Sequence, residues 1–388
     1  MSETPTPHAS PSEATRDTGP TQVPGGGAGA WYGGLPSSLP APLGRYQLLK
    51  LLGKGGMGEV YLAHDAQLDR QVALKIPTFA DGATPERIER FFREARAAAT
   101  LSHTNICPVY DVGVIGGIHF LTMAYVEGKP LGAYIRPDRP QPVKQAVALV
   151  RQLALAMQEA HDKGVIHRDL KPANIIINAK KQPVIMDFGL ARRERAPFEQ
   201  KLTQSGEVLG TPAYMSPEQV NGELSAIGPG CDIYALGVIL YELLSGRKPF
   251  EATYSGDLLV QIMTEAPRPP SVHRPEVDPA LDAICIRALA KKPPNRFASC
   301  REFAAALNDW LKKVPQNVET ELPFIDTAVA PSHRLRPRRR RGSPSVLIAA
   351  GVAAGICLVI GLAIWWNTRG STTAPTDSRA VAAAANGR

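Results

Sequence analysis

The residues best suited to chemistry begin at Gly53, Gly55 and Gly58, a G-x-G-x-x-G pattern inside LGKGGMGEV. Glycines let a backbone approach phosphate oxygens closely and offer them N–H donors. Alone, the pattern reads equally well as a glycine-rich hairpin. A dinucleotide-binding unit needs a strand, this turn and then a helix. Here EVYLAHD follows, a second strand, which disfavours that unit. Lys75 lies in VALKI between apolar neighbours. A lysine there, taken alone, reads as snorkelling to the surface. Glu94 changes that reading, because it falls in the apolar stripe of a helix, three residues after Phe91 and four before Ala98. An inward carboxylate needs a partner, and a Lys75–Glu94 pair behind a glycine-rich loop would hold the phosphates of a nucleotide. Further on, VIHRDLKPANIII carries His167, Arg168, Asp169, Lys171 and Asn174, and VIMDFGLA carries Asp187, Phe188 and Gly189. Any one of these aspartates could be a turn residue. Their joint occurrence, in order and closely spaced after the glycine loop and Lys75, points to one site.

The elements that must position these residues are legible in outline. RYQLLKLLGKGGMGEVYLAHD reads as two strands joined by the glycine-rich turn, and RQVALKIP as a third, ended by Pro77. TPERIERFFREARAAATL reads as a helix with Pro85 in its first turn, where a missing N–H costs little. VKQAVALVRQLALAMQEAHDKG is a long amphipathic helix stopped by Gly164. DIYALGVILYELLSG is apolar on nearly every side, as a helix buried in a large domain would be. Helical patterning ends near Trp310. Strands first and helices after predict an α+β chain with a small sheet-based lobe and a larger helical lobe. Residues 1–44, rich in Pro, Gly, Ser and Thr, read as a disordered tail.

Together these motifs resemble the catalytic domain of a eukaryotic-type protein kinase of the bacterial serine/threonine class, over roughly Tyr46 to Trp310. The resemblance implies the two-lobed kinase fold across a domain of residues 45–312. It implies ATP as phosphoryl donor and Mg²⁺, with Mn²⁺ as the alternative, as metal. Leu52, Gly53, Lys54, Gly55, Gly56, Met57, Gly58, Glu59 and Val60 would cover ATP. Lys75 would pair its α- and β-phosphates and be held by Glu94. Met123 matches the gatekeeper position, and Tyr125 and Val126 the hinge that binds adenine by backbone. Asp169 would orient the substrate hydroxyl and take its proton late, Lys171 would stabilise the transferred phosphate, and Asn174 and Asp187 would bind the metal. Thr211 would contact Asp169 and Lys171, Glu218 would pair with Arg296, and Asp232 would brace the catalytic loop. KPAN and GTPAYMSPE resemble serine/threonine rather than tyrosine kinases, so the expected partners are proteins phosphorylated on Ser or Thr. Two departures are visible. Ala124 stands where the family usually has Glu at the hinge, and GPGCDIY replaces the usual basic-Ser pair before Asp232.

The loop between Asp187 and Glu218 is polar and holds Thr203 and Ser205, the expected autophosphorylation sites, with Arg168 placed to receive the phosphate. An inactive binding scaffold would be expected to lack Lys75, Asp169 or Asp187, and all three are present.

The chain has 388 residues and a net charge of +8, but six arginines between Arg334 and Arg341 supply most of that charge. The body is therefore near neutral, which with the absence of aromatic interleaving argues against a nucleic-acid partner. The five cysteines form no CxxC pair, which argues against a disulfide framework or zinc site, and no cleavable signal sequence is visible. Val346 to Trp366 is an uncharged apolar run, long enough at about 20 residues to span a membrane as a helix. Arginines just before such a helix stay cytoplasmic. The expected order is thus a kinase domain in the cytoplasm, a basic linker over 313–345, a single transmembrane helix over 346–366 in the cell membrane, and a short outer tail over 367–388. Gly351 and Gly355 form a GxxxG, which leaves a homodimer open as an option.

Overall fold

A computed structural model describes residues 31–32, 35–36, 38–55, 58–79, 84–188, 212–223 and 225–314. The chain divides into two units, Met1–Asp326 and Thr327–Arg388, and every described residue belongs to the first. A short ribbon pairs β1 (Trp31–Tyr32) with β2 (Leu35–Pro36). The main sheet contains β3 (Ala41–Leu43), β4 (Tyr46–Gly55), β5 (Gly58–Asp65), β6 (Arg70–Pro77), β7 (Val109–Ile115) and β8 (Ile118–Ala124). Their order is β3-β4-β5-β6-β8-β7, antiparallel throughout.

The sheet starts earlier than the tail expected over 1–44. Ala41 and Leu43 are buried and lie opposite Leu48 and Tyr46. Two inward positions spaced by two suffice for a short strand, and the surrounding prolines and serines conceal them. At the centre, β6 buries every residue from Val72 to Ile76, Lys75 included. One face of the sheet packs Tyr46, Leu48, Tyr61 and Phe120 together. The other carries Ala73, Leu121 and Met123 against helix α1 (Pro85–Ala99), which turns Phe91 and Ala95 inward and begins with proline as its spacing predicts.

The second half is helical, as the sequence predicts: α2 (Val143–Asp162), α3 (Pro217–Asn221), α4 (Pro229–Ser245), α5 (Ser255–Thr264), α6 (Pro279–Ala288) and α7 (Cys300–Lys313). Helix α4 is the axis, with every residue from Cys231 to Ser245 buried. At Gly237 an added Cβ would stand 2.9 Å from the Ala288 Cβ, so the glycine permits the close approach of α4 and α6. Inserted between the lobes is a sheet that sequence patterning does not reveal, ordered β11-β10-β9 from β9 (Gly128–Pro130), β10 (Ile175–Asn178) and β11 (Pro183–Ile185). Its strands of three or four residues are too short to show a period.

Among the described residues no helix is long and apolar enough to cross a membrane. The expected span 346–366, the linker from 315, the outer tail, residues 1–30, the loop 189–211 with Thr203, Ser205 and Thr211, and Gly56 and Met57 all lie outside the described residues.

Candidate functional site

The segment His167–Asn174 runs from α2 to β10, and its backbone is held by buried side chains. Arg168 has φ +66°, a left-handed conformation that costs a non-glycine residue about 1–3 kcal/mol and persists only where its surroundings impose it. Asp232 of α4 imposes it from below. Its carboxylate accepts the N–H groups of His167 and Arg168, each at 2.9 Å, and the ring Nε2–H of His161 at 2.8 Å. Burial alone would raise the Asp232 carboxyl. The hydrogen bond and charge of His161, with the backbone N–H of His167, outweigh it and hold the group below the ordinary value, so it stays ionised. His167 accepts the Asp169 N–H at Nδ1, 3.3 Å, and donates from Nε2 to the Met186 carbonyl, 2.9 Å. Those two bonds tie the backbone of Asp169 to the segment carrying Asp187.

Around Asp169 the polar groups converge. Lys171 Nζ lies 2.8 Å from its Oδ2. Asn174 Nδ2 donates to its backbone carbonyl at 2.8 Å and to Oδ2 at 3.1 Å, which leaves the Asn174 amide oxygen as the atom for a cation. From the sheet, Lys75 extends its ammonium to Asp187 Oδ1 at 2.9 Å. Asp187 also has a positive φ, +57°. Glu94, the partner expected for Lys75, is half-buried on α1 and takes part in an interaction there. Among the described residues no group of three or more His, Cys, Asp or Glu could cage a metal. Mg²⁺ binds through one or two carboxylates together with substrate phosphates. Asp187 and the Asn174 oxygen are donors of the right hardness, so the residues fit the metal.

The wall facing this cluster is apolar. Val60, Ala73, Met123 and Val126 belong to one packed group with Val184 and Met186. Tyr125, next to Val126 in the chain, is half-buried, and Leu52 is exposed. The glycines divide in two. Gly58 is required by the chain itself: its φ is +129° and an added Cβ would lie 2.1 Å from the Ile76 carbonyl oxygen. At Gly53 and Gly55 an added Cβ would meet nothing within 4 Å. No atom of the described residues demands glycine there, and the space is open to a ligand that approaches the backbone closely. Lys54 Nζ reaches Glu59 Oε1 at 2.8 Å across the hairpin, and the Tyr61 hydroxyl also donates to Glu59.

Residues 46–309 match the family model for the protein kinase domain. The chain belongs to the protein kinase family. Two relatives illustrate the likeness. The serine/threonine-protein kinase PknB of Mycobacterium leprae is 40% identical over 267 residues, 68% of this chain and 42% of the relative. The serine/threonine-protein kinase PknD of Mycobacterium tuberculosis is 40% identical over 282 residues, 72% of this chain and 41% of the relative. The matches thus span less than half the length of these relatives. The crystal structure of the Mycobacterium tuberculosis PknI kinase domain superposes with a TM-score of 0.57 at 31% identity, covering 71% of this chain and 99% of that one.

Behind this kinase site, Arg296 and Glu218 form a bidentate pair at 2.7 and 2.8 Å. Other positioning groups escape sequence reading. His161 has no local signal, since its partner Asp232 is 71 residues away. Gln219 carries one: Ser216-x-x-Gln219 is a capping box at the start of α3.

Proposed function

We propose that this chain is an ATP-dependent serine/threonine protein kinase, acting on Ser and Thr hydroxyls of proteins and tethered to the cell membrane. The observation that carries the catalytic reading is the convergence of Lys75 with Asp187 and of Lys171 and Asn174 with Asp169, beside an apolar wall and a glycine turn with open space. ATP lies with its adenine against Val60, Ala73, Met123 and Val126 and its phosphates under the backbone of Leu52–Val60. Lys75 binds the α- and β-phosphates, with Glu94 as its partner on α1. Asp187 and Asn174 would hold Mg²⁺, which when bound would neutralise charge on the phosphate oxygens. Asp169 accepts a hydrogen bond from the substrate hydroxyl and orients it. The hydroxyl oxygen forms its bond to the γ-phosphorus as the bond to the β–γ bridging oxygen breaks. ADP leaves, and the hydroxyl proton passes late to Asp169. Lys171, already fixed on Asp169, meets the charge on the equatorial oxygens. Such a transfer depends mainly on position and electrostatics.

The domain is taken as 45–312. Thr203 and Ser205 are the proposed autophosphorylation sites. Tethering rests on the apolar run 346–366 and the arginines before it, which keep the kinase domain cytoplasmic. The test is ATP-dependent labelling of a generic basic protein by the wild type and by Asp169→Asn, with mass spectrometry of the enzyme before and after phosphatase. Label in the wild type alone is expected, with phosphate on the 189–211 loop. Equal label in both would replace the enzyme with a binding scaffold.

A further inference from the structure

The left-handed Arg168 immediately precedes Asp169, so the setting of its two peptide groups sets where the carboxylate points. Its N–H is fixed by Asp232 at 2.9 Å. Its carbonyl, which belongs to the peptide joining it to Asp169, is fixed from another direction. Gln219 Nε2 of α3 donates to Arg168 O at 2.7 Å. Gln219 is buried, 5% exposed. The same side chain closes the α3 capping box, its Oε1 accepting from Ser216 N at 3.0 Å and Ser216 Oγ at 3.2 Å. The capping box works with either Glu or Gln at this position, and a negative charge near a helix N-terminus is favourable. Capping alone therefore gives no reason for an amide. The bond to Arg168 does, since at neutral pH the amide accepts from Ser216 and donates to a carbonyl at once, which an ionised carboxylate cannot. The neighbouring Glu218 is locked bidentately to Arg296, so the backbone carrying Gln219 is rigid.

We propose that Gln219 is a positioning residue for Asp169. It couples α3 to the Arg168 carbonyl, so that the seating of α3 sets the aim of Asp169. This rests on the kinase reading above. Gln219→Glu separates the two roles, because the carboxylate keeps the cap and loses the donor. At neutral pH the variant is expected to melt lower, because a buried carboxylate facing a carbonyl is unfavourable, and to keep its KM for ATP within about twofold, while kcat falls ~10- to 100-fold, the scale of a small misplacement. Burial beside a carbonyl raises the pKa of the introduced carboxyl. Once protonated it can donate, so the ratio of variant to wild-type kcat is expected to recover as pH falls towards 6. Gln219→Leu loses cap and donor together; it is expected to lose kcat without that recovery and to melt lower.

Amide hydrogen exchange reports the loop without any phosphoryl transfer. The peptide containing 167–170 is expected to exchange faster in Gln219→Glu, with α4 unchanged. Unaltered exchange there overturns the proposal, as does a wild-type kcat, or a loss that tracks the melting temperature and ignores pH. Failure of the kinase reading shows separately, as wild-type protein lacking Asp169-dependent transfer.

Discussion

Arg296→Met tests how much of the helical lobe hangs on one guanidinium. Arg296 is 2% exposed and Glu218 5%. Each of the five N–H groups is used. Nε donates to Ala290 O at 2.7 Å, Nη1 to Glu218 Oε1 at 2.7 Å and Gly230 O at 2.9 Å, and Nη2 to Glu218 Oε2 at 2.8 Å and Lys291 O at 3.0 Å. The guanidinium carbon also stands 5.0 Å from the Tyr234 ring centre. Methionine fills much of the volume but strands a buried carboxylate, a loss of about 3–5 kcal/mol. Three carbonyls lose a donor as well, which makes the lower end of that range a floor. At ~2–4 °C per kcal/mol for a domain of this size, the melting temperature should fall by roughly 10 °C. The reasoning assigns most of the cost to the stranded charge, so Arg296→Met combined with Glu218→Leu should recover part of it. Calorimetry or urea unfolding measures both. A single variant within about 1 kcal/mol of wild type, or a double variant less stable than the single, would refute the assignment.

Glu242 of α4 accepts the Tyr214 hydroxyl at 2.6 Å, and burial raises its carboxyl despite that bond. Between the unfolded value near 4.5 and the raised folded one, the native state holds the proton and the unfolded state does not, so stability should fall as pH rises through that window. Glu242→Gln keeps an acceptor for Tyr214 and should flatten the slope; unfolding midpoints at pH 5 and pH 7 in both proteins measure it, and equal slopes would contradict the reading. For the tether, the full chain should sediment with membranes and deletion of 346–366 should free it. Unchanged sedimentation would move the anchor elsewhere.

The elements that carry the site were legible because each has a local cause. The glycines between two strands, Pro85 at a helix start and the unbroken apolar pattern of α4 each act through neighbours in sequence. β3 was not legible, since two inward residues among prolines make no period, and β9–β11 are too short to show one. Partners were harder to read than elements. Helical spacing found an inward carboxylate at Glu94, but nothing near Lys75 in sequence announces that its ammonium meets Asp187, 112 residues on. Spacing along one helix says which way a side chain faces, and a three-dimensional route decides what it faces. Gln219 shows the remainder of the gap. Ser216-x-x-Gln219 is readable as a cap from four letters, and at that level glutamine and glutamate are equivalent. The amide becomes informative only when the Arg168 carbonyl arrives 2.7 Å away from a segment 51 residues earlier. A motif therefore specifies a local hydrogen-bond pattern, whereas the choice between chemically near-equal residues within it records a contact the motif does not contain.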